Sequence, residues 1–282
     1  MTERLADLES RIGSMHELHD IVTAMRGLAA MRVQEAERAL ASTRAYAGII
    51  EQAVARALGL LPPADRLPGK AAPTGVVLFG AEHGLAGDFN TRAIAGLPAD
   101  ARLLFVAGTR AASICAERGL PVVWSCAMAT HVGAITTTAR YISEQLYRRF
   151  SRGELGGVAI ARAEYSGGTR SKVTYEAVLP AAPPAATENG LPPLLNLPPA
   201  GLLEQMLEEY LFAALAHAAM ESFASENAAR LATMHAARLN VDEKLDQLAA
   251  TARAVRQDEI TAELLDISTG AEAAMPSDLV VD

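Results

Sequence analysis

The chain is 282 residues long, enough for one or two domains. Half of it is hydrophobic but only 5% is aromatic, so alanine and leucine dominate, which suits helices. A formal charge of −8 excludes a general affinity for nucleic acid.

The first four residues, Met-Thr-Glu-Arg, do not start a basic-then-apolar signal sequence. No apolar run approaches the roughly 18 residues of a membrane span, so a soluble, unexported chain without membrane insertion is expected. From Leu5 onward apolar residues recur every three or four positions: Leu8, Ile12, Met15, Val22, Ala29, Val33, Ala36, Leu40, Ala47, Ile50, Val54 and Ala57. His19, Arg26 and Thr43 interrupt this seam. The spacing predicts a helix from about Glu3 to Leu58, stopped by Gly59, Pro62 and Pro63.

After a short linker to Pro73 the texture changes. Val76–Phe79, Leu103–Val106, Val122–Trp124 and Val158–Ala161 are short apolar runs of the kind covered on both faces of a sheet. Helical segments over Asn90–Ala95, Thr109–Arg118 and His131–Phe150 alternate with them, which predicts a small doubly wound α/β domain. Lys172–Leu179 follows the turn Ser166-Gly167-Gly168 and should pair with the fourth strand as a hairpin. A proline-rich linker is expected over 180–201.

Candidate chemistry is sparse. Gly80 to Asp88 follows the first strand, where α/β folds often hold phosphate, but neither a dinucleotide fingerprint nor a Lys-Ser/Thr pair is present. Glu82 and His83 are an adjacent acid and imidazole, read here as surface residues of a tight turn. His131 reads as a helix-terminus residue, and Thr136-Thr137-Thr138 as a helix face packed on the sheet. Cys115 and Cys126 lack neighbours at ligand spacing and read as buried, reduced thiols. No catalytic, cofactor or metal residue is assigned.

The last long stretch, Leu202 to Ile267, contains no proline. Its seam runs Leu203, Met206, Tyr210, Ala213, Met220, Ala224, Leu231, Met234, Val241, Leu245, Leu248, Ala252 and Val255, with His217, Asn227 and Arg238 as interruptions. Such a helix is about 95 Å long and should protrude from a compact domain. Two stripes of equal extent at opposite ends of the chain predict an antiparallel two-helix coiled coil. The alternative is two amphipathic helices lying on a globular core.

Ser225-Glu226-Asn227-Ala228-Ala229-Arg230-Leu231-Ala232-Thr233-Met234 is followed by Arg256-Gln257, Ile260-Thr261, Glu263 to Ile267 and Gly270-Ala271. This resembles the C-terminal signature of the gamma subunit of rotary F-type ATP synthases. Arg11-Ile12, Ile21 to Met25 and Ala29-Ala30 resemble that family's first helix. Gly84-Leu85, Gly87 and Phe89-Asn90 resemble its turn after the first strand. The matches occur in order across essentially the whole chain.

The resemblance implies α/β plus coiled coil: a 1–58 stalk helix, a 74–180 Rossmann-like foot and a 202–270 stalk helix. It implies a non-catalytic rotor shaft, one copy per complex, inside a hexamer of alpha and beta subunits, with the foot on the membrane rotor ring beside the epsilon subunit. Such a complex sits peripherally on the cytoplasmic face of the bacterial plasma membrane. Implied partner-binding residues are Met25 and Arg230 near the beta-subunit lever, and Arg256, Gln257 and Thr261 at the shaft tip. No cofactor is implied. Departures from the pattern include His19-Asp20, Glu82-His83, Ala86, a total of three lysines and a tail running to Asp282. They leave open a divergent paralogue serving a second, sodium-translocating enzyme. Two other readings stay open: an α/β enzyme using the Gly84–Gly87 turn, and an unrelated coiled-coil adaptor.

If polar interruptions face one another to avoid unpaired burial, His19 lies opposite Arg238, Arg26 opposite Asn227 and Thr43 opposite His217. That register places Met25 near Arg230–Leu231 and Leu8 near Ala249. It leaves the last helix without an intrachain partner beyond Ala252, with Arg256, Gln257 and Thr261 standing alone.

Overall fold

The computed structural model describes residues 2–59, 72–168, 171–180 and 196–273. In chain order the elements are α1 (Thr2–Gly59), β1 (Thr74–Phe79), α2 (Phe89–Ala95), β2 (Leu103–Ala107), α3 (Thr109–Glu117), β3 (Val122–Cys126), α4 (Val132–Ser151), β4 (Gly157–Glu164), β5 (Lys172–Leu179) and α5 (Pro199–Ala273). The two expected linkers and the tail fall largely outside the described residues. Contacts divide the chain into two compact units: Gly27–Thr233, and the two ends, Met1–Arg26 with Met234–Asp282.

In the larger unit the strands form one sheet in the order β3-β2-β1-β4-β5. The first four are parallel and β5 runs antiparallel to β4, so both the doubly wound pattern and the terminal hairpin are present. Val77, Phe79, Phe105, Val158 and Ile160 project to one side, against Ile135, Ala139, Ile142 and Leu146 of α4 and against α1 and α5. Val76, Leu78, Leu104, Val106 and Ala161 project to the other, against α2 and α3. Covering both faces explains the uninterrupted apolar runs of β1, β2 and β4.

Two expectations fail here. β3 is an edge strand whose residues alternate in burial, with Val123 44% exposed, because no described element covers one face at the rim. In α4 the stripe Ile135, Ala139, Ile142, Leu146 and Phe150 takes the core. Thr136 and Thr137 are turned to solvent, where their hydroxyls keep water as a partner.

Also in this unit, α5 is buried almost all round. From Leu211 to Arg230 every residue is buried except Ala214 and His217, which are half-buried. Eight of these positions are alanine, and such small side chains let helices and sheet approach closely on every side. Thr43 Oγ1 lies 3.5 Å from His217 Nδ1, the pairing expected from the seam.

In the smaller unit α1 and α5 make a one-sided seam. Leu8 and Val22 are buried, with Leu5, Ile12, Met15, His19 and Arg26 half-buried between and beside them. On α5, Met234, Val241 and Leu248 are buried at seven-residue spacing, the signature of coiled-coil packing. The register differs from expectation by about one turn: His19 Nε2 meets Asp242 Oδ1 at 3.4 Å rather than Arg238. Arg238 Nε itself lies 3.7 Å from Asp242. The Asp242 carboxylate thus lies within reach of both the imidazole and the guanidinium, in the place expected for Arg238.

Candidate functional site

The parallel sheet directs attention to the carboxyl ends of its strands, where α/β folds bind ligands at the point where strand order reverses. Here that point lies between β1 and β4, where α5 contributes Ser222, Ser225 and Arg230, while the turn after β1 bonds to the other side, toward β2 and β3. The Glu82 carboxylate accepts hydrogen bonds from Thr109 N at 3.0 Å, Thr109 Oγ1 at 2.9 Å and Met128 N at 2.8 Å. It therefore caps α3 and ties in the loop after β3, occupying the kind of helix-terminus position that suits a phosphate. Burial pushes its pKa up, but the hydrogen bonds from Thr109 and Met128 outweigh this and hold it below the ordinary carboxylate value. Glu82 is half-buried beside an exposed His83, at the surface as expected, but adjacency to His83 revealed nothing about partners 27 and 46 residues away.

The two ends of the turn are tied down as well, although His83, Gly84, Leu85, Gly87 and Asp88 are exposed. Asn90 Oδ1 accepts from Ala81 N at 2.8 Å. Gly108 has φ +117, and a Cβ there would meet Gly80 O at 2.6 Å, so only glycine fits between the ends of β1 and β2. From α5, Ser222 Oγ donates to Phe79 O and Ser225 Oγ to Ala163 O, each at 3.1 Å. These hydroxyls satisfy carbonyls at the ends of β1 and β4 that have run out of strand partners.

Arg230, expected at a partner surface, is buried. It donates to Glu226 Oε1 at 2.6 Å, Asn227 Oδ1 at 3.0 Å and Gly84 O at 3.4 Å. Its guanidinium thus ties α5 to the turn after β1. Burial raises the pKa of Glu226 in spite of the opposing pull of Arg230, so the pair orders this junction more than it stabilises it.

Of the other expected residues, Met25 is half-buried on α1. Arg256, Gln257 and Thr261 are exposed on α5, with Thr261 Oγ1 donating to Gln257 O at 2.8 Å. Arg256 does not stand alone: its Nη2 lies 2.7 Å from Glu9 Oε1. The one-turn shift in register carries α1 that much further along α5. Half-burial on α5 continues to Ala262, and Glu263–Gly270 is exposed throughout. Ile260, Leu264, Leu265 and Ile267 there are each more than half exposed.

A cleft of about 480 Å³ lies at the amino end of β1, with Asp100, Arg102 and Tyr175 as its titratable lining. It holds no nucleophile–base pair. Cys115 and Cys126 are free thiols whose pKa values burial pushes up, Cys126 to about 12, the opposite of a reactive thiolate. Among the described residues no group of three or more His, Cys, Asp and Glu is placed to hold a metal ion. Nor is any helix among them long and apolar enough to cross a membrane.

Residues 4–274 match the family model ATP-synt, described as ATP synthase. The ATP synthase gamma chain of Moorella thermoacetica is 28% identical over 286 residues, covering 95% of this chain and 98% of that one. That of Solibacter usitatus is 28% identical over 288 residues, covering 96% and 99%. Among solved structures, a chain of the Euglena gracilis mitochondrial ATP synthase (OSCP/F1/c-ring, rotational state 3) superposes with a TM-score of 0.69 at 17% identity, over all of both chains. A chain of its rotor in rotational state 1 gives 0.67 at 16%. With the family model spanning nearly its whole length, the chain belongs to the ATP synthase gamma-chain family.

Proposed function

We propose that the chain is the central shaft of a rotary F-type ATP synthase and catalyses nothing by itself. It couples turning of a membrane ring to conformational change in the catalytic subunits. The helices of 1–58 and 202–270 act as the stalk inside an alpha/beta hexamer, and the 74–180 domain acts as a foot on the ring beside an epsilon subunit. The whole complex lies peripherally on the cytoplasmic face of a bacterial plasma membrane.

The observation that supports the non-catalytic part is the self-bonded turn after β1. Where an α/β enzyme would bind its ligand, Glu82, Asn90 and Arg230 bond to the chain's own backbone. A shaft needs stiffness and a surface that differs with angle, and neither requires a reactive group.

Arg256, Gln257 and Thr261 are the contacts proposed at the tip, with Met25 further down the stalk. Arg suits planar polar contacts, and the Glu9 pair is exposed enough to exchange for a partner's acceptor. Arg230 acts through the turn it holds.

The test is co-expression with alpha- and beta-type subunits, comparing the native chain with the Arg256→Ala/Gln257→Ala variant. A complex that forms with both, and whose ATP hydrolysis is poorly coupled to ion transport in the variant, supports the assignment. Unchanged coupling removes both residues from the contact set, and failure of the native chain to join the complex rejects the shaft.

A further inference from the structure

Within the larger unit one carboxylate joins three elements. Glu221 of α5 is buried, with its side chain 2% exposed. Its Oε2 accepts from Arg162 Nε of β4 at 2.6 Å. Its Oε1 accepts from Arg44 Nη2 of α1 at 3.2 Å and lies 3.4 Å from Nε2 of His217, one turn back on α5. Arg162 Nη1 continues the chain to Glu176 Oε2 of β5 at 2.7 Å. Two arginines and two glutamates balance, so the cluster is neutral with His217 uncharged. Burial alone would lower the pKa of Arg162, but Glu176 and Glu221 hold it above its ordinary value, so it stays charged.

We propose that Glu221 is a positioning residue that fixes the angle at which α5 and α1 sit on the sheet, so that torque on the helices reaches the α/β domain without slip. This rests on the shaft assignment. The surroundings explain why a polar key is needed. Around Glu221, α5 buries Ala216, Ala218, Ala219 and Ala224 together with the larger Leu215, Met220 and Phe223. Apolar burial is non-directional, because neighbouring angles bury similar area. An ion pair with both carboxylate oxygens engaged has one good angle. Rotating α5 by a fraction of a turn would part Glu221 from Arg162 and Arg44 together and leave a charge unpaired in the interior. Arg44 is 64% exposed, and the α1 ties Thr43–His217, Tyr46–Glu209 and Tyr165–Glu37 are part-buried or exposed, so the Glu221–Arg162 contact is the enclosed part of the key.

The experiment uses the whole complex, reconstituted in vesicles, and reads ATP hydrolysis and ATP-driven ion uptake together. Glu221→Gln keeps the shape and removes the charge, while Glu221→Asp shortens the reach. Leu211→Ala, at a side chain that is fully buried and apolar, is the control for lost stability alone. Expected is a loss of ions moved per ATP hydrolysed in Glu221→Gln, partial recovery in Glu221→Asp, and an unchanged ratio in Leu211→Ala even at a larger fall in Tm. An unchanged ratio in Glu221→Gln, or an equal loss in Leu211→Ala, overturns the proposal. Should the Glu221 variants not assemble, Arg162→Lys keeps the charge but loses the fork geometry; full coupling there overturns it too, and reduced coupling supports it. A native chain that never joins the complex would reject the shaft assignment instead.

Discussion

Two stretches of the same helix, α5, carry similar apolar periodicity but are packed by different rules. Between Leu211 and Arg230 the helix is enclosed: its nominally polar side holds Glu221, Ser222, Ser225, Glu226 and Arg230, all buried and all bonded. Between Met234 and Ala262 it has one seam, with about one fully buried residue per heptad, and water on the other sides. The first stretch is specified by polar groups that must find particular partners. The second rests on heptad spacing, with Asp242 meeting His19 and Arg256 meeting Glu9 at its margin, and leaves most of its surface exposed. A shaft gripped at one end and read at the other would need this division.

The sharpest way to break the comparison is to cut equal-sized holes in both stretches. Leu215→Ala, at a fully buried side chain, should cost toward the upper end for leucine, about 4–5 kcal/mol, in urea denaturation. Leu248→Ala in the seam should fall near the lower end for leucine, about 2 kcal/mol, because an open groove can partly close. Equal losses would mean that the enclosed stretch is no better packed than the seam.

Polar anchoring in the larger unit comes next. Glu82→Ala removes the acceptor of the Thr109 and Met128 N–H groups, and since water reaches exposed Thr109 it should cost about 0.5–1.5 kcal/mol. Because the folded pKa of Glu82 is depressed, its contribution is present above the ordinary value of 4.5 and is lost as pH falls through the folded value. Glu82→Gln should therefore flatten the acid limb of the stability curve. His217 works the other way. Burial, with Arg162 and Arg44, lowers its folded pKa in spite of Glu221, so the unfolded chain takes up the proton first. Stability is then unpenalised above its ordinary value of 6.5 and declines as pH drops below it. His217→Asn should remove that decline. A variant that keeps the same slope between mildly acidic and neutral pH would place its origin elsewhere.

The smallest effect belongs to the seam's surface. Arg256→Ala breaks an ion pair whose partners are both more than half exposed, and should shift unfolding by less than about 1 kcal/mol. A larger loss would show that the tip is held as firmly as the enclosed stretch.

How much of this the chain discloses unaided follows from the range of the forces involved. The seams at Leu5 to Arg26 and Met234 to Val255 were legible because heptad spacing is local, and the strands because apolar runs between turns are local too. The turn residues Gly80 and Gly108 and the clamp at Glu82 were not legible, since their partners are set by the folded sheet. Arg238 opposite His19 paired polar interruptions only, and left out the carboxylate of Asp242 one turn away, which lies within reach of both. Arg230 matched a family motif, yet burial gives it a different immediate task, holding Gly84. The alanine content of 211–230 was the available clue that the helix is enclosed, since small residues on the polar face have no use in water.

The most direct test of the central claim is the ATPase activity of the purified chain, alone and after mixing with alpha- and beta-type subunits. The account predicts no turnover by the chain alone, and turnover in a complex of defined size that contains one copy of it per hexamer. Turnover by the chain alone, abolished by changing Gly84 or Gly87, would contradict it.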